Sequence, residues 1–153
     1  MKLLKKMMQV LLAVFFFGLL ATNTVFANTT GGRFVDKDNR KYYVKDDHKA
    51  IYWHKIDGKT YYFGDIGEMV VGWQYLEIHG TGYRDNLFDN QPVNEIGLQE
   101  KWYYLDPSNG DMKIGWTKVN GKWYYLNSSG AMVTGSQTID GKVYNFASSG
   151  EWI

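Results

Sequence analysis

One phrase of sequence returns along this chain every 19 to 21 residues, apart from one interruption: an aromatic run, a polar turn, and a glycine followed two positions later by methionine. Its fullest form is NGKWYYLNSSGAMVTG, Asn120 to Gly135. EKWYYLDPSNGDMKIG and DGKTYYFGDIGEMVVG lie upstream, and DGKVYNFASSGEW follows. A chain that repeats so short a unit folds as an array of one supersecondary element, each copy burying its apolar face on its neighbours. Aligned on the tyrosine pair, a degenerate repeat covers 34–50. Full repeats follow at 53–71, at 72–114 with an insertion at about 74–95, at 115–134 and at 135–153.

Each unit reads as a β-hairpin. VNG and IDG, just before the aromatic run, supply a tight turn, and LNSSGAM or LDPSNGDM a looser one with glycine available for positive φ. No long segment keeps a 3.6-residue apolar period past the glycines, so helix is not expected. A lone hairpin is marginal in water, but stacked copies bury rings between them. The predicted fold is all-β: a repeat solenoid of stacked two-stranded β-hairpins.

The first 27 residues stand outside this pattern. Lys2, Lys5 and Lys6 precede an apolar run over 7–20, and Val25-Phe26-Ala27 has the small residues of a cleavage site. This is a signal peptide, with cleavage expected after Ala27, and the apolar run is short for a membrane span. The mature chain, 28–153, would then carry 14 basic and 16 acidic residues. Near-neutrality argues against nucleic acid, which demands a basic face. The chain has no cysteine, so no disulfide holds the mature protein together. With five leucines against 22 aromatics in 28–153, burial falls to Tyr, Trp and Phe.

A thin ribbon cannot hide that many rings, so some line the grooves between successive hairpins. Ring-walled grooves suit a quaternary ammonium, which donates no hydrogen bond but gains from ring quadrupoles and from apolar contact with its methyl groups. Stacking on sugars is the rival use, though it usually wants polar side chains around the ring.

GWTKVNGKWYYLNSSGAMVTG, Gly115 to Gly135, resembles the choline-binding (cell wall-binding) repeat of Gram-positive surface proteins nearly residue for residue, and weaker copies cover almost all of 28–153. The resemblance implies a left-handed solenoid that binds the choline of teichoic and lipoteichoic acids in cages between adjacent repeats. By position it implies one cage of Trp116, Trp123 and Tyr144, and another of Trp73, Trp102 and Tyr124. A weaker one, from Trp53 and Tyr103, has Thr60 where a second tryptophan belongs. Phe34 and Lys41 hold the two tryptophan positions of the first repeat, where a lysine would repel choline. Ser136 and Val143 hold them in the last, which starts no further cage. Tyr43, Tyr62, Tyr104 and Tyr125 read as scaffold. Met69, Met112 and Met132 read as packing under the hairpins, with Met132 also within reach of a ligand. Trp152 falls where Met132 stands one repeat earlier, and reads as a hydrophobic end cap.

The insertion between Trp73 and Trp102 carries Glu77, His79, Arg84, Asp85 and Asp89, at spacings that match no metal or catalytic motif. It reads as a solvated loop with Tyr75, Tyr83, Leu87 and Phe88 packed on the solenoid, or as a contact surface for a protein partner. No cofactor is implied, and no length remains for a catalytic domain. The expected function is non-catalytic: a secreted protein held non-covalently at the cell wall through choline. The alternatives are a glucan- or oligosaccharide-binding repeat protein, and an accessory module modulating a cell-wall hydrolase.

Overall fold

A computed structural model describes residues 31–77, the backbone of 87–88, and residues 99–153. The expected signal peptide and most of the insertion, with His79, Tyr83, Arg84, Asp85 and Asp89, lie outside the described residues. All regular structure within them is β. Strands β1 (Arg33–Lys37), β2 (Arg40–Lys45), β3 (His48–Ile56) and β4 (Lys59–Phe63) form an antiparallel meander, with β6 (Leu87–Phe88) added on β3. Three separate hairpins pair β5 (Gly72–Glu77) with β7 (Glu100–Leu105), β8 (Gly115–Val119) with β9 (Lys122–Leu126), and β10 (Gly135–Ile139) with β11 (Lys142–Phe146). The stack of hairpins expected from the repeats is the architecture of the chain.

The turns are chosen by backbone sterics. Asp57-Gly58, Asn120-Gly121 and Asp140-Gly141 each hold both residues at φ between 49° and 82°, the two-residue turn whose twist matches the strands it joins. Asp38-Asn39 and Asp46-Asp47 do the same with no glycine, because short polar side chains tolerate the left-handed region.

Hydrogen bonds knit each hairpin to the one before it. The Met69 amide donates to the Lys41 carbonyl, Met112 to Thr60, Met132 to Trp102 and Trp152 to Trp123, at 2.6–2.8 Å. The methionine side chains lock the same joints. A Cβ on Gly110, Gly130 or Gly150 would overlap the sulfur of Met69, Met112 or Met132 respectively. Each turn glycine is thus a seat for the methionine of the preceding repeat.

The insertion does not break its hairpin. Gln74 to Glu77 pair in register with Tyr103 to Glu100, and Trp73 lies opposite Tyr104. The extra residues therefore leave after Glu77 and return before Glu100, later than the boundary of about 74–95 read from the sequence alone. The repeat's aromatic strand offers six partners, and β5 uses all of them.

Candidate functional site

One aromatic joint recurs along the stack. Phe34 meets Tyr61, Trp53 meets Tyr103, Trp73 meets Tyr124, and Trp116 meets Tyr144. The centroids are 4.8–5.3 Å apart and the ring planes cross at 62–70°. On its other side each of these rings contacts the second tyrosine of its own hairpin: Tyr43, Tyr62, Tyr104 or Tyr125. Edge-to-face contacts at such distances contribute about 0.5–1.5 kcal/mol each beyond area burial. The joint thus holds one aromatic ring between two successive repeats.

Among the described residues, two of these joints open into cavities. The first, about 370 Å³, is lined by Trp73, Trp102, Tyr124, Met132, Ser148 and Ser149. The second, about 310 Å³, is lined by Trp116, Trp123, Tyr144 and Trp152. Both groups of three rings named from the sequence are brought together. The insertion does not separate Trp73 from Trp102, since β5 and β7 pair across it. Trp102 and Trp123 are 44% and 40% exposed, so each offers a face to solvent. Their outer faces are covered differently. Tyr75 lies 5.3 Å from Trp102, whereas the Lys118 ammonium lies 5.7 Å from the centre of Trp123.

Trp152, read from the sequence as an end cap, also lines the second cavity. Its ring stands 5.7 Å from Trp116 and 5.8 Å from Tyr144, and at 48% exposed it forms a fourth wall. It reaches that position through the Phe146–Trp152 pairing, which matches Leu126–Met132 one repeat earlier. The alignment of Trp152 with Met132 carried this signal. Met132 lines the first cavity in the same way, so the position after the turn is a wall in both.

The weaker pair is a correction. Trp53 and Tyr103 make the same joint, but they are 1% and 0% exposed, with no room for a ligand. The end of β5 fills the space. The Trp53 indole N–H donates to the Glu77 carbonyl at 3.0 Å, the Tyr62 hydroxyl lies 3.3 Å from the Glu77 carboxylate, and Leu76 packs on the same cluster. The extra length of β5 puts chain where a cavity would form. At the first joint Lys41 pairs with Asp36 at 2.9 Å beside Phe34.

No carboxylate lines either cavity among the described residues. At the last turn, Glu151 accepts hydrogen bonds from Ser149 and, at 3.0 Å, from Lys122. The Ser149 hydroxyl and then the Lys122 ammonium hold its carboxyl down at about 2, against an ordinary 4.5. No group of three or more candidate metal-binding side chains exists among the described residues, and no helix there is long and apolar enough to cross a membrane.

Comparison with known proteins identifies the repeats. A family model described as a choline-binding repeat matches residues 113–153, and one described as a cell wall binding repeat matches 53–69 and 98–112. Choline-binding protein F of Streptococcus pneumoniae, crystallised in the presence of a peptidoglycan analogue, is 48% identical over 82% of this chain and 67% of that one, with a TM-score of 0.47. A pneumococcal cell-wall endolysin from phage Cp-1, complexed with choline, is 28% identical over 81% of this chain and 31% of its own, with a TM-score of 0.54. Glucosyltransferase-S of Streptococcus mutans is 35% identical over 119 residues, which are 77% of this chain and 7% of the enzyme. The chain spans that small fraction of its curated relative, so the likeness lies in the repeats.

Proposed function

We propose, because this chain belongs to the choline-binding repeat family, that it binds choline groups of cell-wall polymers in the two ring-walled cavities and is held at the wall by them. The observation that carries the reading is the pair of cavities, each with three or more aromatic walls from successive hairpins and no lining carboxylate among the described residues. A trimethylammonium group has no N–H to donate. Tryptophan faces offer it charge–quadrupole attraction of about 0.5–2 kcal/mol per ring, together with apolar contact for its methyl groups. The rings are already held in place by the recurring joint, so little ordering entropy is lost on binding. Teichoic and lipoteichoic acids are the polymers that present choline in this way, and non-covalent attachment to them makes the chain a surface protein. The basic start and apolar run at the N-terminus support export, with a mature chain beginning at Asn28.

A second reading, binding of glucans, is favoured by the 35% identity to glucosyltransferase-S. One experiment separates the two. The protein is loaded on a choline-substituted resin and on a dextran resin, then washed with sodium chloride and with choline chloride at equal concentration. Retention on the first resin, with release by choline chloride alone, supports the choline reading. Retention on dextran, or release by sodium chloride as readily as by choline chloride, contradicts it.

A further inference from the structure

The first sheet has a face that the aromatic joints do not use. In an antiparallel ladder, residues directly opposite share a face, and every second residue along a strand returns to it. Phe34 meets Tyr43 and Asp36 pairs with Lys41, so these four mark the face that packs on Tyr61 of the next hairpin. The opposite face takes Arg33, Val35 and Lys37 from β1 and their partners Val44, Tyr42 and Arg40 from β2. Lys49 of β3 joins them, because it pairs with Val44. Val35, Tyr42 and Val44 are half-buried, and they floor a hollow of about 190 Å³ that Lys37 and Lys49 also line.

Charge on this face is one-sided. Arg33, Lys37, Arg40 and Lys49 share it. The acids beside it are Asp38, in the turn at the rim of the hollow, and Glu68, which stands opposite Tyr42. Asp36 is committed to Lys41 on the other face. Lys37, Arg40 and Lys49 have no ion-pair partner among the described residues. Lys49 is held in place, since its ammonium donates to the Ile66 carbonyl at 2.7 Å and lies 5.3 Å from the centre of the Tyr42 ring. The near-neutral balance of the mature chain thus hides a local excess of positive charge.

Strand geometry sets how far apart these charges stand. Arg33 and Lys37 are four residues apart on one strand, about 13 Å, and Lys49 is two strands away from β1, about 10 Å. Cations so spaced on an apolar floor do not converge on one small anion. They fit a chain whose negative charges recur along an otherwise uncharged backbone. A wall teichoic polymer is such a chain, with polyol or sugar units joined by ionised phosphodiesters. Its carbons lie against Val35, Tyr42 and Val44 while its phosphates meet the lysines and arginines. We propose that this face binds the phosphodiester backbone of the wall polymer, a contact that needs no choline and uses no residue of either cavity. It rests on the choline reading only for the identity of the polymer. A polymer already held in a cavity meets this face at high effective concentration.

The probe is a poly(glycerol phosphate) polymer free of choline, titrated by calorimetry into the full mature chain at several salt concentrations. The variant is Lys37→Glu with Arg40→Glu. Both side chains are exposed and lie outside the cavities, so circular dichroism and choline affinity should stay unchanged. The unsubstituted chain should bind the polymer at low salt. The variant should bind about tenfold or more weakly, and its log–log salt slope should be smaller by about 1.5, as two lost phosphate contacts require. Lys59→Glu with Lys142→Glu makes the same change of net charge on exposed residues elsewhere and should leave polymer binding intact. No binding by the unsubstituted chain would overturn the proposal, as would equal loss in the second variant, which would mean that net charge alone acts. Displacement of the polymer by free choline would place it in the cavities, and equal binding of poly-glutamate would make the partner an acidic peptide; either result overturns the proposal. Because the probe carries no choline, a failure of choline to bind the cavities shows in a separate titration and leaves this one decisive.

Discussion

Trp123 lines the Trp116 cavity, and the Lys118 ammonium lies 5.7 Å from its ring centre. Being 40% exposed, it contributes little to the core, so Trp123→Ala should leave circular dichroism native. Loss of one ring face should weaken choline at that site roughly tenfold, the effect of about 1.4 kcal/mol, as read by calorimetry. An unchanged affinity would make Trp123 scaffold. Glu151 allows a second prediction at the level of single residues. Its folded pKa lies below its ordinary value, so the support it gives the last turn is complete above about 4.5 and is lost as pH falls through about 2. The carboxyl carbon shift of Glu151 should titrate with a midpoint near 2. A midpoint at 4.5 would mean that the contacts with Ser149 and Lys122 do not persist in solution.

Within a hairpin, the methionine-on-glycine seat couples stability to the site. Gly150 sits at φ 90° with Met132 against it, whereas Gly141 sits at φ 75° with nothing within 4 Å of the place a methyl group would take. Alanine at Gly141 should cost only the left-handed backbone penalty, about 1–2 kcal/mol. Alanine at Gly150 adds overpacking of about 1–3 kcal/mol and pushes Met132 into the Trp73 cavity. Urea unfolding should rank Gly150→Ala below Gly141→Ala, and only Gly150→Ala should weaken the first site. Equal stabilities would show that Met132 moves aside without cost.

Hairpins also separate what the residues announced from what they did not. The turns were legible because an Asn-Gly or Asp-Gly pair has few conformations open to it. The joint rings were legible because their spacing repeats. Two features were not. Tyr52 stands where the later repeats have Gly72, Gly115 and Gly135, and it holds the same left-handed backbone at φ 63°. A buried tyrosine there breaks the local rule at a cost of about 1–3 kcal/mol, offset by packing that only the fold reveals. The closing of the Trp53 joint depends on how far β5 runs before the insertion begins, and composition does not encode that length.

At the scale of the whole molecule, two of the joints among the described residues open into cavities. Three rings at about 0.5–2 kcal/mol each imply single-site dissociation constants near the millimolar range, as about 4 kcal/mol requires. Wall polymers carry many cholines on one chain, so a second cavity engages at high effective concentration and raises overall affinity by about 10²–10⁴. Losing either cavity removes that gain. Trp102→Ala and Trp123→Ala singly should each release the protein from choline-bearing walls at free-choline concentrations that leave the unsubstituted chain bound. Joint loss should add little. Retention of either single variant at those concentrations would mean that attachment does not depend on paired sites.

On the choline reading, the ligand enters these two cavities, and calorimetric titration of the mature chain with choline follows both. Two sites of near-millimolar affinity are expected for the unsubstituted chain, one for Trp102→Ala, one for Trp123→Ala and none of that affinity for the double variant, with circular dichroism native throughout. Choline binding of undiminished affinity in the folded double variant would contradict that reading.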